Sequence, residues 1–161
     1  MTELYEMKRR MECSKKLLVL DLNGTLVLRK GKRIIKRKYS DEFLKFIFEN
    51  YHIGIFTSTV GKNVYSILDK IFTADQLSKI VFVWDRAYTE SDPEPINEWD
   101  TIKNIDTVRK VYPYKDITVI DDSYRKLRFN ENCNILVCES FVDEEEKNST
   151  LQDLIVKLKE N

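Results

Sequence analysis

The chain has 161 residues, 42% apolar and 34% charged, and its 27 basic and 27 acidic side chains cancel. That balance describes a globular domain and excludes a disordered tail, a chain drawn by overall charge to nucleic acid or membrane, and, with no apolar run near ~18 residues, a membrane-spanning helix. Cys13, Cys133 and Cys138 lack disulfide-framework or metal-ligand spacing and fit a reducing cytoplasmic or nuclear setting.

Residues 1–14 mix acidic with basic side chains and read as a polar leader, ahead of a single domain over residues 15–161. Leu17-Leu18-Val19-Leu20 is a short, continuously apolar run ending in Asp21, the pattern of a strand buried on both faces of a parallel sheet. Ligands bind beyond the carboxyl ends of such strands, which places Asp21 and Thr25 at a mouth, with Gly24 turning the backbone. Seven of the ten residues from 29 to 38 are basic (Arg29, Lys30, Lys32, Arg33, Lys36, Arg37 and Lys38), around a hairpin turn at Lys30-Gly31. This stretch is either a positive rim for a phosphorylated or acidic partner or a solvated hairpin. Ser40 is expected to cap a helix with Asp41 and Glu42 in its first turn and Phe43, Leu44, Ile47 and Phe48 on its apolar face.

The stretch from His52 to Thr59 is a strand that ends in hydroxyl residues, followed by a helix with Val64, Ile67, Leu68 and Ile71 buried. The hydroxyls of Thr57 and Ser58 can hold a phosphate or cap that helix; His52 reads as structural. A third strand spans Lys79 to Asp85, and the acidic, aperiodic stretch from Ala87 to Trp99 is a loop, functional or simply solvated. The run from Asp116 to Asp122 is a strand ending in two adjacent acids. Buried there, Asp121 and Asp122 call for a divalent cation, and oxygen ligands suit Mg²⁺; a surface turn is the alternative. A fifth strand covers Asn134 to Cys138, and the Asp143–Glu146 run is expected to start a last helix with Leu151, Leu154, Ile155 and Leu158 on its apolar stripe. The alternation gives an α/β, Rossmann-like parallel sheet of about five strands flanked by helices.

Asp21-Leu22-Asn23-Gly24-Thr25 behind an apolar strand resembles the Asp-x-Asp-x-Thr signature of the haloacid dehalogenase superfamily. The surrounding motifs are most similar to the branch of RNA polymerase C-terminal-domain phosphatases and nuclear-LIM-interactor-interacting-factor-like phosphatases. Thr57 matches the second motif, Lys103 in Thr101-Ile102-Lys103-Asn104 the Lys-Asp-Leu motif, and Asp121-Asp122-Ser123 the last. Lys115, the other candidate lysine, reads as a surface residue. The resemblance implies a nucleophile at Asp21, phosphate contacts from Thr57, Ser58 and Lys103, and Mg²⁺ held by Asp21, the Asn23 backbone carbonyl, Asp121 and Asp122. It also implies a core without a cap domain, since the stretch before His52 is spent on a hairpin and one helix. Four positions depart from the pattern: Asn23 at the general acid–base aspartate, Lys38 and Tyr124 at prolines, and Asn104 at an aspartate.

Asn23 keeps a backbone carbonyl but has no proton to exchange, and the loss of general acid–base help costs about 10²–10⁴-fold. The expectation is therefore a catalytically impaired phosphatase-like domain that binds a phosphorylated or acidic protein segment. The alternatives are an active Mg²⁺-dependent phosphatase of phosphoserine or phosphothreonine and a nucleic-acid-end phosphatase or RNA-binding module that uses the basic hairpin.

Overall fold

The computed structural model describes residues 16–160 and Glu3; the rest of the expected leader, including Cys13, lies outside them. Five strands, β1 (Leu17–Leu20), β4 (His52–Phe56), β5 (Ile80–Trp84), β8 (Ile117–Asp121) and β9 (Asn134–Val137), form one parallel sheet in the order β5-β4-β1-β8-β9. The run that looked buried on both faces is the central strand, and all four of its side chains are fully buried. Its alternation splits them between two cores. Leu18 and Leu20 join the core filled by helices α1 (Ser40–Asn50), α2 (Gly61–Ile71) and α6 (Thr150–Lys159). Leu17 and Val19 join the other, with Phe56, Phe82, Trp84 and the helix α4 (Ile105–Val111). Each buried aliphatic side chain contributes roughly 1.5–3 kcal/mol, so both layers are secured by this one strand.

Register decides where the chemistry falls. Leu20 pairs with Ile120 on one side and Ile55 on the other, so Asp21 and Asp121 emerge side by side at the same edge, with Thr57 close by. The stretch between β1 and β4 holds only the hairpin β2 (Val27–Lys30)–β3 (Arg33–Lys36) and α1, so no separate domain stands there. After β5 the chain makes a 3₁₀ turn (Arg86–Tyr88) and a two-residue ladder, β6 (Glu90–Ser91) with β7 (Thr101–Ile102).

Several boundaries differ from expectation for local reasons. The hairpin turn is Gly31-Lys32, because Lys30 pairs with Arg33 and Gly31 takes the positive φ of 60°. Ser40 does not cap α1; it is the first helical residue, and Tyr39, left-handed at φ 69°, stands at the cap position. Likewise α2 is preceded by Val60, with no side-chain cap, so the hydroxyls of Thr57 and Ser58 are not spent on capping it. A short helix α3 (Ala74–Lys79) escaped the periodicity, although Thr73 and Gln76 form a complete capping box. The loop from Ala87 to Trp99 is not simply solvated: Asp92 is buried, 2.5 Å from Arg128 and 3.3 Å from Arg125.

The acidic run Asp143–Glu146 does not start the last helix, which begins at Thr150. It folds back on the hairpin. Arg37, expected on the basic rim, is instead buried, with a two-pronged ion pair to Glu146 (Nε–Oε2 3.0 Å, Nη2–Oε1 2.7 Å) and a hydrogen bond to the Thr25 carbonyl. Arg37→Ala leaves Glu146 uncompensated in a site where it is only 9% exposed. The expected cost is about 3–5 kcal/mol, read as a lower urea midpoint, whereas Arg33→Ala, whose partner Glu144 is more exposed, should cost under about 1 kcal/mol.

Candidate active site

The turn after β1 is wound around Leu22, whose carbonyl accepts the N–H groups of Thr25, Leu26 and Val27. Gly24 sits within it at φ 90°, and a Cβ there would lie 2.5 Å from an Asp122 oxygen. Glycine is required on both counts. The close approach lets Thr25 Oγ1 donate to Asp21 Oδ2 at 3.1 Å, with Asp122 Oδ1 at 3.4 Å sharing the same proton.

Lys103, delivered by the residue after β7, joins the two strand ends. Its Nζ lies 3.1 Å from Asp21 Oδ1 and 2.5 Å from Asp121 Oδ2, and it is nearly fully buried. Asp121 also accepts the Ser123 N–H at 2.9 Å, and Asp122 accepts from Ser140 Oγ at 2.8 Å. The two adjacent acids thus face a shared site with Asp21 and are not a surface turn. Burial pushes the Asp21 carboxyl up to about 8 against the pull of Lys103, with Asp121 adding to the rise. Burial also works against the Lys103 charge, but Asp21 and Asp121 outweigh it and hold the ammonium above its ordinary range.

Asp21, Asp121 and Asp122 each present an oxygen within 4.8 Å of the others. When all three carboxylates are ionised, one ammonium leaves two negative charges in excess, and the donors are all hard oxygens, so the cluster fits a divalent cation such as Mg²⁺. Mg²⁺ at about 100-fold over its dissociation constant is expected to stabilise the domain by about 2.7 kcal/mol, a rise of several degrees in Tm. The double variant Asp21→Asn/Asp122→Asn should lose that rise; an equal rise in both would remove the cation from these residues.

The other expected site residues divide. Thr57 is buried beside the cluster, its hydroxyl accepting the Thr59 N–H at 3.1 Å. Ser58 accepts from Lys126 Nζ at 3.0 Å. Asn23 is exposed, and its Oδ1 accepts the Arg29 N–H at 3.0 Å, so its amide braces the hairpin. Asn104 caps α4 by accepting the Asp106 N–H, and Lys115 is exposed at a distance, as expected. On the hairpin, Lys30 and Arg33 pair with Glu144 and Lys36 with Asp41; Arg29 and Lys32 form no ion pair among the described residues. His52 is structural, its Nδ1 2.7 Å from the Tyr114 hydroxyl.

Two residues went unnoticed in the sequence. Ser140 orients Asp122, but nothing in a lone serine eighteen positions away signals that. Lys126 reaches Ser58, and here a sign existed: Arg125-Lys126-Leu127-Arg128 is a basic cluster directly behind the Asp121-Asp122 motif.

A parallel sheet that brings three carboxylates and a lysine to one point at its carboxyl edge is the haloacid dehalogenase arrangement, in its C-terminal-domain-phosphatase-like branch. Residues 16–161 match the family model described as NLI interacting factor-like phosphatase, and the chain belongs to that family. An FCP1 homology domain-containing protein of Schizosaccharomyces pombe is 31% identical over 108 residues, covering 59% of this chain and 44% of that protein. Among solved structures, fission yeast RNA polymerase II CTD phosphatase Fcp1 bound to beryllium fluoride superposes with a TM-score of 0.57 at 15% identity, over 98% of this chain and 53% of that one. An uncharacterized protein from Listeria monocytogenes serotype 4b gives 0.58 at 13% identity, over 89% of this chain and 96% of its own. The chain thus spans about half the length of the two fission yeast proteins. Among the described residues no helix is long and apolar enough to cross a membrane.

Proposed function

We propose that this domain binds a phosphorylated or acidic segment of another protein at the Asp21 cluster and turns it over poorly, in a cytoplasmic or nuclear setting. The observation that carries this reading is Asn23. The position two after the nucleophile holds an amide turned toward the hairpin backbone, while the Asp21–Lys103–Asp121–Asp122 cluster is complete.

In this reading Asp21 attacks phosphorus with a carboxylate oxygen as the bond to the leaving oxygen breaks, and the electron pair departs on that oxygen. Lys103 and Thr57 orient the phosphoryl group, and the Lys103 ammonium pulls against the burial that raises Asp21, favouring the carboxylate form that attacks. Asp21, Asp122 and the Asn23 carbonyl, with Asp121 alongside, would hold Mg²⁺, which when bound offsets the charge between carboxylate and phosphate. A serine or threonine alkoxide leaves slowly without a proton, and the Asn23 amide has none to give. The water that cleaves the aspartyl-phosphate likewise finds no base there. An aryl phosphate, whose phenolate leaves unaided, relaxes the first demand, and the intact Asp21 favours slow turnover of such substrates as the second reading. Arg29 and Lys32, hairpin cations that form no ion pair among the described residues, are available to an acidic partner.

The test is phosphopeptide binding and hydrolysis with Mg²⁺, by wild type and Asp21→Asn. Expected are measurable binding and hydrolysis far below the ~10 s⁻¹ of an ordinary enzyme. A phosphoserine kcat of that order, lost in Asp21→Asn, would overturn the impaired reading and make the domain a working phosphatase.

A further inference from the structure

Lys103 has little charge to spare for an incoming anion. Its ammonium lies 3.1 and 2.5 Å from Asp21 and Asp121, which engage two of its three hydrogens and leave one for a phosphoryl oxygen. Lys126 stands differently. Its Nζ donates to the neutral Ser58 hydroxyl at 3.0 Å, its side chain is partly buried, and among the described residues it forms no ion pair. The two lysines are joined through the backbone, where the Lys103 N–H donates to the Lys126 carbonyl at 2.8 Å. Burial, and next the Lys103 charge, pull the Lys126 ammonium below its ordinary range, so the site holds a cation at a cost that no neighbouring carboxylate repays at contact distance.

The placement is built from both ends. Ser58 follows β4 and is left over from helix capping, since Val60 takes that position. Lys126 lies on the helical turn α5 (Tyr124–Leu127), which the flanking residues pin in place: Arg125 donates to the Glu94 carbonyl at 2.6 Å and Arg128 to Asp92 at 2.5 Å. The loop from Ala87 to Trp99 therefore braces the turn that presents the lysine.

We propose that Lys126, steadied by Ser58, is a further phosphoryl-binding residue of this site, supplying a second positive charge, not paired with a carboxylate, beside that of Lys103. The substrate class follows: a phosphoryl group in its dianionic form, over a neutral or monoanionic ester of the same shape. This rests on the phosphoryl-binding reading of the Asp21 cluster.

The test is calorimetric titration with inorganic phosphate in the presence of Mg²⁺, using wild type, Lys126→Met, Lys126→Arg, Ser58→Ala and Asp21→Asn, each checked for its Tm. Replacing a charge-assisted contact by an isosteric thioether should weaken phosphate about 10- to 100-fold. Lys126→Arg should recover most of that loss, and Ser58→Ala, which frees the lysine without discharging it, should lose less than Lys126→Met. In wild type, phosphate should outcompete a methyl phosphonate monoester, and that preference should shrink in Lys126→Met. Equal phosphate affinity in folded wild type and folded Lys126→Met overturns the assignment while the Asp21 cluster stands as the phosphate site. No phosphate binding by wild type overturns both. A Lys126→Met loss that Lys126→Arg does not restore means shape and not charge is at stake, and also overturns it.

Discussion

Asn23→Asp is expected to raise phosphoserine hydrolysis by about 10²-fold or more, because one general acid–base residue typically supplies 10²–10⁴-fold and, on the reading proposed above, both half-reactions lack it. The exchange is nearly isosteric, and the Asn23 contact survives it: the Arg29 N–H now given to Oδ1 can be given equally to a carboxylate oxygen. Asn23 is exposed, so the new charge has no burial to overcome. To act, the carboxyl must give up the Arg29 N–H and turn from the hairpin to the leaving oxygen, where it would donate a proton and later take one from water. The comparison is made with Mg²⁺, and Asp21→Asn/Asn23→Asp is the dead control. The gain should be larger for a phosphopeptide than for an aryl phosphate, whose leaving group needs no acid. No gain with either substrate would mean that Asn23 is not what limits turnover.

Lys103→Met is expected to be the most damaging single substitution to the metal-free fold. It leaves Asp21 and Asp121, both nearly buried, facing each other without the ammonium that lies between them. Removing one partner of a buried ion pair costs about 3–5 kcal/mol. The deficit depends on pH with a definite sign. Burial already raises Asp21 to about 8, and removing the lysine raises it further. A carboxyl whose folded pKa exceeds its unfolded one contributes stability below the unfolded value, near 4, and loses it as pH rises through the folded value. Lys103→Met should therefore approach wild type at pH 5 and fall furthest behind above pH 8, measured by urea denaturation with chelator present. A deficit that does not change with pH would show that packing, and not charge, is what Lys103 provides.

Much of this site could be read from the chain because the physics is local. An apolar run ending in a carboxylate states both strand and site, and it does so at Leu17–Asp21 and at Ile117–Asp121 alike. Register then does the rest, since parallel neighbours bring strand ends together whatever their separation in sequence. What stayed hidden is set by partners distant in the chain. Arg37 reads like its basic neighbours, and only Glu146, Thr25 and Thr150 make it a buried strut. Asp92 looks like one more loop acid until Arg125 and Arg128 are seen to enclose it. The run Asp143–Glu146 satisfies every local rule for a helix start, yet the charges of the hairpin claim it first. Ser40 fails as a cap for a different reason: the chain arrives through a left-handed Tyr39, and the serine is already inside the helix.

That folded-back acidic run has a consequence for how the hairpin meets other molecules. Glu144 holds Lys30 and Arg33 from within the same chain, so an acidic ligand reaching for those two side chains must displace a tethered rival. A group joined by a short linker competes at an effective concentration on the order of millimolar. A weak or singly charged ligand would lose that contest and a dense cluster of negative charge would win it, so any acidic ligand taken up by these two side chains would be selected by its valence.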